Sequence, residues 1–206
     1  CREEGVALLG GETAEMPGFY ADGEYDVAGF LVGVVERAAI LDGSGIRPGD
    51  RVVAYPSTGL HTNGFSLARR VLAETGTALD ARPPELSGAT VGEALLTPHR
   101  CYAREIRRLL EDRRARVRGL AHITGGGISG NLSRILPAGV DARIRPGTWT
   151  EPPVFGWLRQ AGRIEEEEMR QAFNLGVGLI AVVGGEVQAL EIGEIAPGSG
   201  RVIWSA

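Results

Sequence analysis

The chain has 206 residues, 43% of them apolar, which is enough for one large domain with a real core. Nothing in its net charge of −4 favours nucleic acid or an anionic membrane as a partner. The longest apolar runs, residues 27–35 and 175–183, are too short to span a bilayer and read as buried strands.

Cys1 and Cys101 are the only cysteines, so there is neither a disulfide framework nor a zinc spacing. No charged-then-apolar leader is visible, and a reducing cytoplasm is the expected location. The chain opens on Cys1 and enters a strand-like motif almost at once, so a piece of a longer protein is expected. All 22 basic residues are arginine. Any Schiff base or lysine–phosphate contact therefore falls outside this sequence or passes to arginine.

In chain order, residues 2–5 read as a helix end and residues 6–9 as a short strand. Residues 18–24 form a turn-rich loop. Residues 25–36 read as a long strand, with small residues at Ala28, Gly29 and Gly33 that admit another backbone. Residues 39–48 contain Asp42-Gly43-Ser44-Gly45, a run of turn formers that marks a linker. The pattern thus divides into residues 1–38, a linker at 39–48 and a second unit at 49–206.

The second unit starts with a strand at 50–55. Helical spacing of Phe65, Leu67, Ala68, Val71 and Leu72 predicts a helix over 65–74. Residues 82–87 read as loop. A helix over 102–114 places Ile106, Leu109 and Leu110 on one face. A strand at 117–124, a short helix at 129–136 and a strand at 141–144 follow. Helices are expected at 154–162 and 165–173, and strands at 177–183, 188–192 and 201–204. Strands and helices alternate, which points to α/β or α+β layers.

Three motifs carry chemistry. The first is Gly10-Gly11-Glu12-Thr13-Ala14-Glu15-Met16-Pro17-Gly18. Its glycines allow close backbone approach. Its paired carboxylates suit Mg²⁺ shared with nucleotide phosphates. A glycine turn with solvated glutamates is the plainer alternative.

The second is Ser57-Thr58-Gly59-Leu60-His61-Thr62-Asn63-Gly64, set between a strand and a helix. Such a position attracts anions through free N–H groups. His61 could act as acid or base near neutral pH. A capping loop fits the same residues, with Thr62 or Asn63 satisfying backbone donors.

The third is His122-Ile123-Thr124-Gly125-Gly126-Gly127-Ile128-Ser129-Gly130-Asn131, again joining strand to helix. Three successive glycines can turn their N–H groups into an anion nest. The motif lacks the Lys-Ser/Thr ending of a Walker A loop and is no dinucleotide fingerprint. A phosphate monoester or phosphoribosyl group is the natural ligand; a tight crossover turn is the alternative. By contrast, the arginines of residues 104–118 are interleaved with Glu105, Glu111 and Asp112 and read as a solvated face. The glutamates at 165–168 suit the start of a helix. His99 follows Pro98 at a helix start and reads as structural.

In this order the three motifs resemble the aminoimidazole ribonucleotide synthetase (phosphoribosylformylglycinamidine cyclo-ligase) family. The likeness covers nearly the whole chain, including Pro48-Gly49-Asp50, Leu96-Thr97-Pro98 and Phe173-Asn174-Leu175-Gly176-Val177-Gly178. The stretch from Gly11 to Gly18 is specific to that family. Relatives such as selenophosphate synthetase and thiamine-phosphate kinase typically carry Gly-Gly-Asp-Thr there.

The resemblance implies ATP-dependent ring closure of formylglycinamidine ribonucleotide to aminoimidazole ribonucleotide in purine biosynthesis. It implies ATP and Mg²⁺ as cofactors, a ribonucleotide as partner, and no nucleic acid or membrane. Residues 1–38 would end an N-terminal α/β domain that binds ATP and forms a homodimer. Residues 49–206 would be a C-terminal mixed-sheet α/β domain. His61 and His122 become the candidates for proton transfer or oxyanion stabilisation. Asn63, Thr124, Gly125, Gly126, Gly127 and Asn131 are candidates for substrate binding. Glu12 and Thr13 would face ATP, and Glu12 and Glu15 its metal.

Two departures stand against the family pattern. The lysine- and aspartate-bearing glycine-rich segment found upstream in relatives is absent. Relatives also insert a helix after the strand that ends at Val183, where this sequence runs almost directly into 187–192; a hairpin is expected there. A truncated non-catalytic relative and another ATP-dependent member of the superfamily remain as alternatives.

Overall fold

A computed structural model describes residues 1–205. It divides into two units, Cys1–Ile40 and the chain from Leu41 onward. The second unit contains β1 (Arg51–Pro56), α1 (Phe65–Thr75), α2 (Val91–Leu95), α3 (Ala103–Glu111), β2 (Val117–His122) and α4 (Gly127–Leu132). After these come β3 (Val140–Ile144), α5 (Pro153–Ala161), α6 (Glu166–Ala172), β4 (Val177–Val183), β5 (Leu190–Pro197) and β6 (Val202–Trp204).

The six strands form one mixed sheet in the order β2-β4-β1-β5-β3-β6. All neighbours are antiparallel except β3 and β6. β4 is buried at every position. Its continuous apolar run, without polar alternation, is what a strand covered on both faces requires. Ile180 and Val182 face one core, with Val52, Ile128, Leu132 and Ile192. Ala181 and Val183 face another, with Val53, Leu109 and Ala115. Each fully buried Val or Ile contributes roughly 1.5–3 kcal/mol. A third core joins α1, α2, α5 and α6 through Val71, Val91, Phe155, Leu158 and Met169, with Leu60 and Phe173 beside them.

Most elements expected from the sequence are present, and four readings need correction. First, no paired strand forms within Cys1–Ile40. That unit holds two short 3-10 turns, Arg2–Glu4 and Arg37–Ala39, and is otherwise irregular or extended. Val27, Phe30, Leu31, Val32 and Val34 are exposed. A strand needs a neighbour for its N–H and C=O groups, and these residues supply none to one another.

Second, α2 was not expected. Its start is a capping box: Thr90 Oγ1 accepts the Glu93 N–H at 3.0 Å, and Glu93 Oε2 accepts the Thr90 N–H at 2.7 Å. Third, Leu110 of α3 is exposed, and of that helix only Leu109 is buried.

Fourth, β4 and β5 make no hairpin, because β1 lies between them. The Gly184 and Gly185 N–H groups donate to Arg116 and Ala115 carbonyls. These bonds turn the chain off the end of β4. Val187 and Ala189 then pack against the core around Val53, so residues 184–189 cross a face of the sheet without a helix.

Candidate functional site

The sheet register assembles the site. Tyr55 of β1 and His122 of β2 both pair with Leu179 of β4. Both strands run antiparallel to β4, so β1 and β2 are parallel and end at the same edge. The loop after β1 carries His61 and Asn63. The loop after β2 carries Thr124, Gly125 and Gly126.

Asn174 anchors the first loop from below and is 1% exposed. Its Oδ1 accepts the Ser57 hydroxyl at 2.7 Å and the Gly176 N–H at 2.9 Å. Its Nδ2 donates to Gly59 O at 2.9 Å and Leu60 O at 3.3 Å. All four hydrogen-bonding positions of the amide are satisfied. The loop then passes through two left-handed residues, His61 at φ 54° and Thr62 at φ 66°. Non-glycine residues in that region cost about 1–3 kcal/mol each, and such strain gathers at functional sites.

His61 is buried. Its Nε2 accepts the Thr58 N–H at 3.0 Å and the Arg100 N–H at 3.3 Å. Those backbone donors leave no hydrogen for Nε2, so the ring is neutral and carries its hydrogen on Nδ1. Nδ1 is buried and has no hydrogen-bond partner among the described residues. Burial first, then the charges of His99, His122 and Arg100, pull the His61 pKa from 6.5 down to about 4. His61 thus presents its Nδ1–H as a buried donor.

Around it stand three groups to which sequence reading gave no chemistry. His99 stacks on His61, with ring centroids 4.1 Å apart. Tyr102 donates its hydroxyl to Pro56 O at 2.8 Å, and burial pushes its pKa up to about 12. Arg100 holds Glu105 at 2.7 Å. Gly178 of β4 admits this arrangement, because a Cβ there would overlap the Tyr102 hydroxyl. No local pattern marks these residues as neighbours of His61; only the order of strands brings them there.

Asn63 bridges the two loops. Its Nδ2 donates to His61 O at 2.8 Å, and its Oδ1 accepts the Gly125 N–H at 3.1 Å. Asn131, on α4, is buried against the second loop. Its Nδ2 reaches Thr124 O, Gly125 O and Gly127 O, the last at 2.8 Å. Its Oδ1 accepts the Thr124 hydroxyl at 3.1 Å.

The open anion nest expected at the three glycines is not what the loop forms. The Gly126 N–H donates to Gln171 O, the Gly127 N–H to Thr124 O, and the Gly125 N–H to Asn63. Of the three, Gly125 alone is held by a side chain.

The remaining expected residues belong to the other unit. Glu12, Thr13 and Glu15 are exposed on the irregular part of Cys1–Ile40. Among the described residues no three His, Cys, Asp or Glu side chains gather to hold a metal. No helix among them is long and apolar enough to cross a membrane.

Residues 47–202, which include both loops, match the family described as AIR synthase related protein, C-terminal domain. The chain belongs to this family. Among curated relatives, a phosphoribosylformylglycinamidine cyclo-ligase of Sorangium cellulosum is 60% identical over 89% of the chain and 53% of its own length. One of Myxococcus xanthus is 51% identical over 98% and 61%. The chloroplastic one of Arabidopsis thaliana is 45% identical over 97% and 54%. This AIR synthase related chain therefore spans about half to three fifths of the length of the curated relatives it matches. Among solved structures, thiamine-monophosphate kinase of Stenotrophomonas maltophilia aligns with TM-score 0.54 and 16% identity, over 83% of this chain and 54% of that one. At that identity the likeness concerns the fold.

Proposed function

We propose that the chain supplies the substrate half of a cyclo-ligase that closes formylglycinamidine ribonucleotide to aminoimidazole ribonucleotide with ATP. The observation that carries this reading is the 60% identity to a phosphoribosylformylglycinamidine cyclo-ligase over 89% of the chain.

The geometry supports specific roles. The buried Nδ1–H of His61 is a donor without a partner, suited to an oxygen that gains charge as the ring closes. His122 lies at the open end of β2 and is exposed, so it is free to exchange protons. Asn63, Thr124, Gly125, Gly126, Gly127 and Asn131 form the wall for the ribonucleotide. A phosphate oxygen could replace Asn63 at the Gly125 N–H, the donor of that loop that depends on a movable side chain.

ATP enters this proposal through the family resemblance, with Glu12, Thr13 and Glu15 as the residues nearest to that role. Mg²⁺ would need further ligands, and no step is assigned to it. Residues 1–38 belong, in this reading, to the end of an N-terminal domain that pairs in a homodimer, followed by a linker at 39–48. A cytoplasmic location goes with the same reading.

The test is formation of aminoimidazole ribonucleotide from formylglycinamidine ribonucleotide and ATP. It is run on this chain and on the chain joined behind the preceding half of the Sorangium cellulosum relative. Turnover by the joined protein, lost in His61→Ala while folding is kept, supports the reading. A well-folded joined protein without turnover overturns it.

A further inference from the structure

The sequence holds three histidines. His61 and His99 sit on two separate loops and His122 ends β2, yet the fold collects all three. His99 stacks on His61 with planes 15° apart, and its Nε2 lies 3.3 Å from Nε2 of His122. His99 and His122 are both exposed, while His61 is buried beneath them.

A nitrogen–nitrogen contact of that length has room for one hydrogen. Two N–H groups would collide there, and two lone pairs would repel. One ring must therefore donate and the other accept. We propose that His99 and His122 act as one acid–base unit with a single hydrogen between them, and that His99 is the positioning residue that sets the tautomer of His122. The use of this unit in ring closure rests on the cyclo-ligase reading; its existence does not.

The surroundings leave room for one added proton and oppose a second. From the loop after β1, the pair meets His61, which stays neutral. From its own loop it meets Arg100, a cation whose guanidinium is tied to Glu105 of α3. Tyr102, at the start of α3, packs against His122 and stays un-ionised because burial raises its pKa. β4, next to β2, brings Gly178 and Leu179, which carry no charge. One proton on the pair makes a charge-assisted N–H···N bond. A second would set two cations 3.3 Å apart beside Arg100.

The proton path balances with ATP as the phosphate donor and water as the final proton acceptor. With the hydrogen on His122 Nε2, its Nδ1 is bare and basic. A proton released by the attacking nitrogen binds that Nδ1 as the carbon–nitrogen bond forms. The Nε2 hydrogen shifts to His99, which exposes the charge to water for discharge. Where ATP has phosphorylated the formyl oxygen of the substrate, the phosphate so formed leaves with the electrons of that carbon–oxygen bond.

The chain's three imidazoles can be followed one by one by ¹⁵N NMR during a pH titration, with a chelator present. The expected result is one shared proton for His99 and His122 between about pH 5.5 and 8, with His61 neutral throughout. In His99→Gln, His122 should titrate alone, with its midpoint moved by about half a unit or more. His122→Gln should do the same to His99, which guards against a loop defect in either variant. Two independent protons in that range, with neither midpoint moved by the other substitution, would overturn the pair.

The second measurement is kcat against pH in the joined enzyme. His99→Gln should move the limb of the kcat profile by a similar amount and leave KM within about twofold. An unmoved profile beside a shared NMR titration would remove the pair from the reaction. Absence of turnover in the parent enzyme would sink the cyclo-ligase reading and leave the NMR result standing.

Discussion

Asn63 holds His61 to Gly125: its amide nitrogen donates to the carbonyl of one, and its amide oxygen accepts the N–H of the other. One side chain thereby fixes the spacing between the loops of β1 and β2. Asn63→Ala removes both bonds and should cost about 1–2 kcal/mol of stability. In the joined enzyme, KM for the ribonucleotide should rise about tenfold, a change worth about 1.4 kcal/mol. Asn63→Asp keeps the acceptor for Gly125 but sets a carboxylate against the His61 carbonyl, so it should recover less than half of the loss. Urea unfolding and steady-state kinetics on the two variants check this, and a silent Asn63→Ala would refute the bridge.

Gly127 opens α4 at φ 59°, and a Cβ there would overlap the Arg170 carbonyl. The left-handed backbone costs an L-residue about 1–2 kcal/mol, and the clash adds to it. Gly127→Ala should therefore lose about 3 kcal/mol or more. Gly130, inside the same helix, has open space where a Cβ would go. Gly130→Ala should be neutral or gain up to about 1 kcal/mol from helix propensity. Thermal unfolding of the pair decides whether packing against α6, rather than glycine content alone, shapes this loop.

The regular elements were readable where periodicity is strong. The run of β4 was found at its observed bounds, and α1 and α5 within a residue at each end. The capping box of α2 was legible in Thr90 and Glu93 but is carried by a short helix with little periodicity of its own. The place of β1 between β4 and β5 was not legible, because nothing local distinguishes a face-crossing link from a hairpin. His61, Asn63 and His122 stood out as motifs. That His99 and Tyr102 join them follows from β1 and β2 sharing a neighbour in β4, a strand distant from all of these residues in sequence. The same pairing explains why the glycine loop looked like an open nest: its acceptors, Gln171 and Asn63, come from elsewhere in the chain.

Asn174 supports the His61 loop with four hydrogen bonds in a buried setting. Its polar amide interrupts the apolar sequence Phe173-Asn174-Leu175, a signal that a buried partner set exists. Asn174→Ala leaves two donors, Ser57 and Gly176, and one acceptor, the Gly59 carbonyl, without partners, while the Leu60 carbonyl keeps the Asn63 N–H; it should cost about 3 kcal/mol or more. Asn174→Asp retains the Ser57 and Gly176 bonds but faces two carbonyls with a charge, and should be no better than alanine near neutral pH. Urea denaturation measures both. An aspartate variant as stable as the parent would mean that the network contributes little.

Acid stability should carry the mark of His61. Its pKa falls from 6.5 to about 4 on folding, so the unfolded chain binds a proton that the folded chain refuses between those values. Stability from this group is complete above pH 6.5 and declines as pH falls toward 4. After allowance for screening by solvent around the two exposed histidines, the loss should be about 2 kcal/mol. Burial and the charge of His122 lower the His99 pKa as well, adding a smaller slope in the same direction. Glu105 and Asp141 have pKa values held below their ordinary values by hydrogen bonds, so their contributions are lost at lower pH. His61→Gln should be less stable than the parent at pH 7.5 but lose less on acidification to pH 5. Urea midpoints across that range provide the comparison. Parallel curves for parent and variant would show that His61 accepts its proton as readily in the fold as out of it, and would remove the basis for treating it as a fixed neutral donor.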